Sequence, residues 1–259
     1  MDLGIKGRRA LLTGASKGMG RACALALARE GVHVTITARG AEALERTARE
    51  IEAETGMPVT PVAGDITTEE GRAAALRACP EPDILLNNAA GKRPGDFRDW
   101  DRDEWISALD LMMLAPIAMI RATYDGMVDR GFGRIVNIAS RSVKIPQAEL
   151  GLSNGARTGL VGFCAGLARE GIAQNVTINT ILPGIVDSDA QREHVEDLVV
   201  PGGPSFEEIW QSRADKNPAR RYGRTDEIGA YFAFLASAHA GYITGQALLI
   251  DGGSYPGTF

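Results

Sequence analysis

Thr13-Gly14-Ala15-Ser16-Lys17-Gly18-Met19-Gly20 lies between the apolar run Ala10-Leu11-Leu12 and an Ala-rich stretch with helical spacing. In that setting the glycines have a physical purpose. They permit a tight strand-to-helix turn and let backbone N–H groups approach a pyrophosphate, whose charge the helix N-terminus favours. Further along, strand-like runs alternate with helical patterns: Val32-His33-Val34-Thr35-Ile36, Val59-Thr60-Pro61-Val62, Ile84-Leu85-Leu86, Ile135-Val136-Asn137-Ile138, Val176-Thr177-Ile178-Asn179 and Ala247-Leu248-Leu249-Ile250. Alternation of this kind marks a parallel sheet covered by helices, so the expected fold is α/β, a doubly wound parallel sheet of about seven strands. One helix, from about Asp103 to Arg130, contains Pro116, which should kink it or end its regular hydrogen bonding.

Composition sets the outer limits. At 259 residues the chain fits a single large domain, 1–259, and no repeat or low-complexity tract divides it. The 44% apolar and 24% charged content is that of a globular protein. A net charge of -5, with both signs interspersed, offers no basic stripe for a phosphate backbone, so nucleic acid is not an expected partner. No apolar stretch precedes the first strand and no later run reads as long enough to span a bilayer, which points to a cytoplasmic protein without a membrane partner. Cys23, Cys79 and Cys164 are too few and too scattered for a disulfide framework or a zinc site, and no metal is expected. His33 and His239 read as structural, while the part played by His194 stays open.

Five segments, in order, resemble the short-chain dehydrogenase/reductase family: the glycine turn, Asn87-Asn88-Ala89-Ala90-Gly91, Gly133-Arg134-Ile135-Val136-Asn137-Ile138-Ala139-Ser140, Pro183-Gly184-Ile185-Val186-Asp187-Ser188, and Ile243-Thr244-Gly245-Gln246 leading to Asp251-Gly252-Gly253. The resemblance implies a Rossmann-like domain binding a nicotinamide dinucleotide through Gly14, Ser16, Lys17, Gly18, Met19, Gly20, Arg39, Asp65, Ile66, Asn88, Ala89, Arg157, Pro183, Gly184, Val186 and Ser188. It also implies that Asp65 accepts from the adenine amine, that Val186 and Ser188 meet the carboxamide, and that the segment 186–221 is a substrate lid. NADP(H) is the expected form. The second strand ends Thr37-Ala38-Arg39 without the carboxylate that would bond a free 2′-hydroxyl, and Lys17 adds a second cation for a 2′-phosphate.

The same resemblance exposes a departure. Where family members usually carry Asn, Ser, Tyr and Lys, the matching positions read Met112, Ser140, Ser153 and Arg157. A serine is a far weaker acid than a tyrosine, and a guanidinium does not relay a proton at working pH. Ordinary ketone reduction should therefore be impaired, leaving Ser140, Ser153 and Arg157 as a donor cluster suited to an oxyanion. Three readings follow: a reductase acting on a carbonyl or conjugated carbonyl compound, acyl thioesters among them; a nucleotide-binding protein without redox turnover; or a lyase or isomerase stabilising an enolate. The substrate is a small molecule in the first. Gly159, Gly162 and Gly166 with Ala165 give one helix a smooth face, which in the resembled family is a homo-oligomer interface, dimer or tetramer; burial within one subunit would account for it equally.

Overall fold

Seven short runs rich in Val, Ile and Leu pair in parallel because each of the first six is followed by helix that carries the chain back across the sheet. The structure, a computed structural model, describes residues 1–258. Its strands β1 (Arg9–Thr13), β2 (His33–Ala38), β3 (Val59–Ala63), β4 (Ile84–Asn87), β5 (Gly133–Ile138), β6 (Val176–Pro183) and β9 (Ala247–Ile250) form one sheet in the order β3-β2-β1-β4-β5-β6-β9. Every pairing in it is parallel. Strand order reverses between β1 and β4, and in open α/β sheets a ligand crevice forms beyond the carboxyl ends at such a point. Pro61 causes no loss of a central ladder bond, because β3 is an edge strand.

Helices cover both faces. α1 (Gly18–Arg29), α2 (Ala41–Thr55) and α9 (Thr225–Ala236) pack Leu27, Leu44, Ile51, Ile228 and Phe232 against one side. On the other side, α3 (Glu69–Ala78), α5 (Ala115–Asp129) and α6 (Gly151–Leu167) contribute Ala75, Met119, Ile120, Met127, Leu160 and Cys164. The central strands are buried on both faces, which is why β5 and β6 carry no exposed residue.

The helix expected over 103–130 exists but changes character midway. α4 (Arg102–Leu109) runs into a π-helical turn, Asp110–Leu114, and then into α5, whose second residue is Pro116. Proline has no N–H to donate to the carbonyl four residues back, and the wider turn immediately before it absorbs that mismatch. As a continuous unit of 28 residues, Arg102–Asp129 is long and apolar enough to cross a membrane, which corrects the reading that no such run exists. Its buried face, from Ala108 and Met112 through Met119, Ile120 and Met127, packs into the body of the domain.

After β6 come β7 (Val186–Asp187), α7 (Asp189–Glu196), α8 (Phe206–Lys216) and β8 (Gly223–Arg224). β7 and β8 make a small separate pair beside the carboxyl ends of the main strands. Ser188 caps α7 and Ser205 closes a capping box with Glu208 at α8, so both helices are locally specified.

Candidate active site

The glycine turn is held by its neighbour strand. Asn88 donates its backbone N–H to Thr13 Oγ1 at 2.9 Å and its side-chain amide to the Gly14 carbonyl at 2.8 Å. A Cβ on Gly14 would stand 2.4 Å from the Asn88 carbonyl oxygen, and one on Gly20 would stand 2.3 Å from the Gly14 oxygen. No side chain fits at either position, and Gly14 also has φ +59°. What this close packing creates is a cleft of about 420 Å³ over the strand ends, lined among others by Ser16, Lys17, Arg39, Asp65, Asn88 and Arg157.

Most of the expected cofactor residues meet there. Gly14, Ser16, Lys17, Gly18, Met19, Arg39, Asp65, Ile66, Asn88, Ala89, Arg157 and Ser188 all face the cleft. Gly20 does not; it supports the loop from behind. Pro183, Gly184 and Val186 are also not among the lining residues. Pro183 and Val186 are buried, and Gly184 abuts Asp251, so this corner shapes the wall by backbone packing. Thr37, whose buried hydroxyl has no hydrogen-bond partner, lines the cleft and was missed by sequence reasoning, as were Leu111 and Asp189. Thr37 lies one residue before the carboxyl end of β2, where ligands gather in this architecture.

Charges in the cleft have definite partners. Lys17 Nζ donates to Glu193 of α7 at 2.8 Å, and that bond raises its pKa above the usual lysine value. Lys17, expected to add a cation at the glycine turn, also ties that turn to α7. Asp65 accepts from the Thr67 backbone N–H at 2.9 Å and from the Thr67 hydroxyl at 2.7 Å. Those two bonds, with Arg39 nearby, hold its carboxyl below the usual carboxylate range. Arg39 itself is exposed at the end of β2.

At the opposite side, α6 places Ser153 and Arg157 one turn apart on its inner face. Arg157 is 7% exposed and spreads its guanidinium over three acceptors: Ser153 Oγ at 3.1 Å, the Ile138 carbonyl at 2.9 Å and the Ala89 carbonyl at 3.3 Å. The side chain therefore fastens α6 to the ends of β4 and β5. No carboxylate lies within 4 Å of it among the described residues, and burial pushes its pKa down to about 10, which leaves it a cation at neutral pH. Ser140, at the end of β5, accepts from the Ser142 N–H at 3.1 Å and has no direct bond to Ser153 or Arg157. The expected trio is thus a bonded pair with a serine beside it.

Met112 sits in the π turn and packs with Ala108, Leu152 and Ala156 in a small apolar cluster with Trp100 and Trp105. The same contacts divide the glycines of α6. Gly159 faces Met113 of its own chain, where a Cβ would meet the sulfur at 2.8 Å, while Gly162 and Gly166 face open space. Only the latter two remain available to a second subunit. All three cysteines are buried and free, with burial raising each thiol, Cys164 to about 12, so none is a nucleophile.

Residues 14–255 match a family model described as Enoyl-(Acyl carrier protein) reductase. The chain belongs to the short-chain dehydrogenase/reductase family. Among the members of this family that it resembles, 3-oxoacyl-(acyl-carrier-protein) reductase FabG of Pseudomonas aeruginosa is 32% identical over 259 residues, covering 98% of this chain and 99% of the relative. Acetoacetyl-CoA reductase of Shinella zoogloeoides is 32% identical over 253 residues, covering 96% and 98%. The crystal structure of L-sorbose reductase from Gluconobacter frateurii, complexed with NADPH and L-sorbose, superposes with a TM-score of 0.94 at 31% identity over the whole of both chains. The short-chain dehydrogenase/reductase fold, with its nucleotide-sized cleft at the switch point between β1 and β4, is therefore present from end to end.

Proposed function

We propose that this chain is an NADP(H)-dependent oxidoreductase acting on a carbonyl or conjugated carbonyl compound, acyl thioesters included, through an atypical Ser140, Ser153 and Arg157 site. One observation carries the reading: a single cleft has Lys17 and Arg39 at its nucleotide-loop side and Arg157, hydrogen-bonded to Ser153, at its inner side. The sorbose reductase complexed with NADPH and the reductase names of the relatives support it.

The residues fit such a cofactor. The space beside Gly14 and Gly20 admits no side chain, the Thr37 hydroxyl is buried without a partner at the end of β2, and Arg39 and the Glu193-paired Lys17 line the same cleft, where both would be available to a 2′-phosphate. Glycine-turn N–H groups and the α1 N-terminus would hold the pyrophosphate. Asp65 keeps Oδ2 for an adenine amine, since Thr67 engages Oδ1. Arg157, with one further N–H on each terminal nitrogen, would reach ribose hydroxyls. When bound, the dihydronicotinamide supplies a hydride.

Chain residues then handle the oxygen that gains charge. Ser153 Oγ accepts from the Arg157 guanidinium and so keeps its own proton to donate, polarised by a buried cation. Ser140 likewise accepts from Ser142 and can donate. These two hydroxyls stabilise an alkoxide or enolate without being strong acids, which favours acceptors whose carbon is protonated later from water. In this reading α7 and α8 form the lid, and the exposed Phe163 beside Gly162 and Gly166 belongs to a homo-oligomer face. The test is NADPH absorbance against a panel of simple ketones, enones and acyl thioesters. Turnover restricted to conjugated or thioester acceptors is expected; no NADPH consumption with any of them, despite tight NADPH binding, returns the chain to a nucleotide-binding protein.

A further inference from the structure

Two arginines outside the pair just described have no ion-pair partner among the described residues, and burial first, then the charge of Arg213, lowers the Arg141 pKa. Arg141 follows Ser140 directly, is partly buried, and donates Nη1 to Ser254 Oγ at 2.8 Å. Arg213 projects from α8 and donates Nη1 to Nε2 of His194 on α7 at 3.4 Å. Neither has an acidic group within 4 Å among the described residues. Asp251, the acid nearest to Arg141 in effect, is committed to its own turn, accepting from Ser254 Oγ at 3.0 Å, Gly253 N at 3.0 Å and Tyr255 N at 2.8 Å.

The lid side of this cluster holds donors that nothing satisfies. Arg213 Nε and Gln191 Nε2 are buried without a hydrogen-bond partner, and the buried Tyr222 hydroxyl has Arg213 beside it as its polar neighbour. Gln191 and His194 share the inward face of α7, and Tyr222 lies under α8, stacked on Trp210 at 3.8 Å. Burial, then Arg213, pushes the His194 pKa down, so the ring is neutral and its Nε2 serves as an acceptor. An unpaired buried donor is destabilising, and like charges near one another add to that. A resting fold keeps such an arrangement at a loss, whereas a ligand oxyanion would offset it with charge-assisted bonds.

We propose that Arg213 and Arg141, with Gln191 and Tyr222 beside them, receive an anionic group of the substrate, carboxylate or phosphate, under α7 and α8 while its carbonyl faces Ser140. This rests on the reductase reading above and deepens it: the substrate is a carbonyl compound bearing an anion at its far end. Arg141, by its place in the chain, sets the distance from the reacting oxygen to that anion.

The test uses the full chain saturated with NADP+, so that the nucleotide cleft is filled. Calorimetric titration compares 4-oxopentanoate with its methyl ester, and dihydroxyacetone phosphate with dihydroxyacetone. In at least one pair the anion is expected to bind about tenfold or more tightly than its neutral partner, and the pair with the larger ratio identifies carboxylate or phosphate as the natural group. Arg213→Met should abolish the ratio while leaving the neutral probe and NADP+ affinity as they were, and Arg213→Lys should restore part of it. Equal binding within both pairs, no binding of any probe, or a ratio that survives Arg213→Met overturns the proposal. NADP+ binding, measured first, judges the nucleotide reading separately. If it fails, the same comparison on the unliganded protein still decides the anion site, because Arg213 lies outside the nucleotide cleft.

Discussion

Rebuilding the usual family set as Met112→Asn, Ser153→Tyr and Arg157→Lys should raise simple ketone reduction sharply, and the structure says why the three changes must be made together. Ser153 and Arg157 are hydrogen-bonded at 3.1 Å, and Met112 packs on Leu152 and Ala156, the neighbours of both on α6. A tyrosine introduced alone at Ser153 would press its ring into the guanidinium, an overpacking cost of ~1–3 kcal/mol. Shortening Arg157 to lysine relieves that crowding, yet alone it leaves the Ile138 and Ala89 carbonyls without their donor. Contacting sites of this kind couple by ~0.5–3 kcal/mol, so single variants should do little and the triple much. A positioned general acid contributes ~10²–10⁴ in rate, or about 3–5.5 kcal/mol of barrier, and that is the expected gain over the native chain. NADPH absorbance decay with unconjugated ketones measures it, with urea unfolding and NADPH titration confirming that each variant is folded and loaded. A folded, NADPH-binding triple variant no faster than native would refute the reasoning, as would native turnover of simple ketones at an ordinary ~1–10³ s⁻¹.

Three further outcomes follow from the same geometry. NADPH should bind more tightly than NADH, because displacing the exposed Lys17–Glu193 pair costs only ~0.2–1 kcal/mol while each cation–phosphate bond returns ~1.5–3 kcal/mol; equal affinities by calorimetry, or an Arg39→Asp variant that keeps the preference, would remove the basis of the assignment. Arg157→Met should weaken an oxyanion-bearing inhibitor more than Ser153→Ala does, since a charge-assisted bond contributes ~1.5–3 kcal/mol and a neutral one about half; loss of NADPH affinity with inhibitor binding intact would make Arg157 a ribose ligand only. Burial lowers the Arg157 pKa from the ordinary arginine range to about 10, so between about pH 10 and that ordinary range the unfolded chain binds more protons than the folded one and this site's contribution to stability rises with pH. The stability gap between native protein and Arg157→Met, from paired urea unfolding, should widen by ~1.4 kcal/mol per pH unit across that window, and a flat gap would contradict it.

The parts of this protein that could be read without coordinates are those whose physics is local. All seven strands of the main sheet show as short runs of branched apolar residues, and the interruption at Pro116 follows from one missing N–H. Ser153 and Arg157 could be paired in advance because four residues is one helical turn. What could not be read depends on segments far apart in sequence. Lys17 and Glu193 are separated by 176 positions, and no local pattern says that the glycine turn is tied to α7. Gly159 reads with Gly162 and Gly166 as part of one surface for a second subunit, yet Met113 of the same chain covers Gly159. The effect of Arg213, on α8, upon the charge of Arg141, in the turn after β5, is of the same long-range kind.

The contacts around Arg157 also bear on how the site should be understood. A guanidinium reaching Ser153, Ile138 and Ala89 at once joins α6 to the ends of β4 and β5, a span that a single ammonium covers less well. That span is possible because Ser153 is small, and the space on the far side of α6 is filled by Met112 and the two tryptophans rather than by a polar group. Each of the three residues is therefore matched to the others: a tyrosine would collide with the guanidinium, a lysine would leave carbonyls unpaired, and an asparagine in place of Met112 would be buried among Leu152, Ala156 and Trp105 without a partner. A protein merely losing a catalytic residue would show a gap or an unsatisfied group at this point, and Ser153 and Arg157 show neither. The mutual fit is that of a site built around a fixed buried cation and two hydroxyls, which is the physical reason for looking first to acceptors that need charge stabilisation at oxygen and not a strong acid.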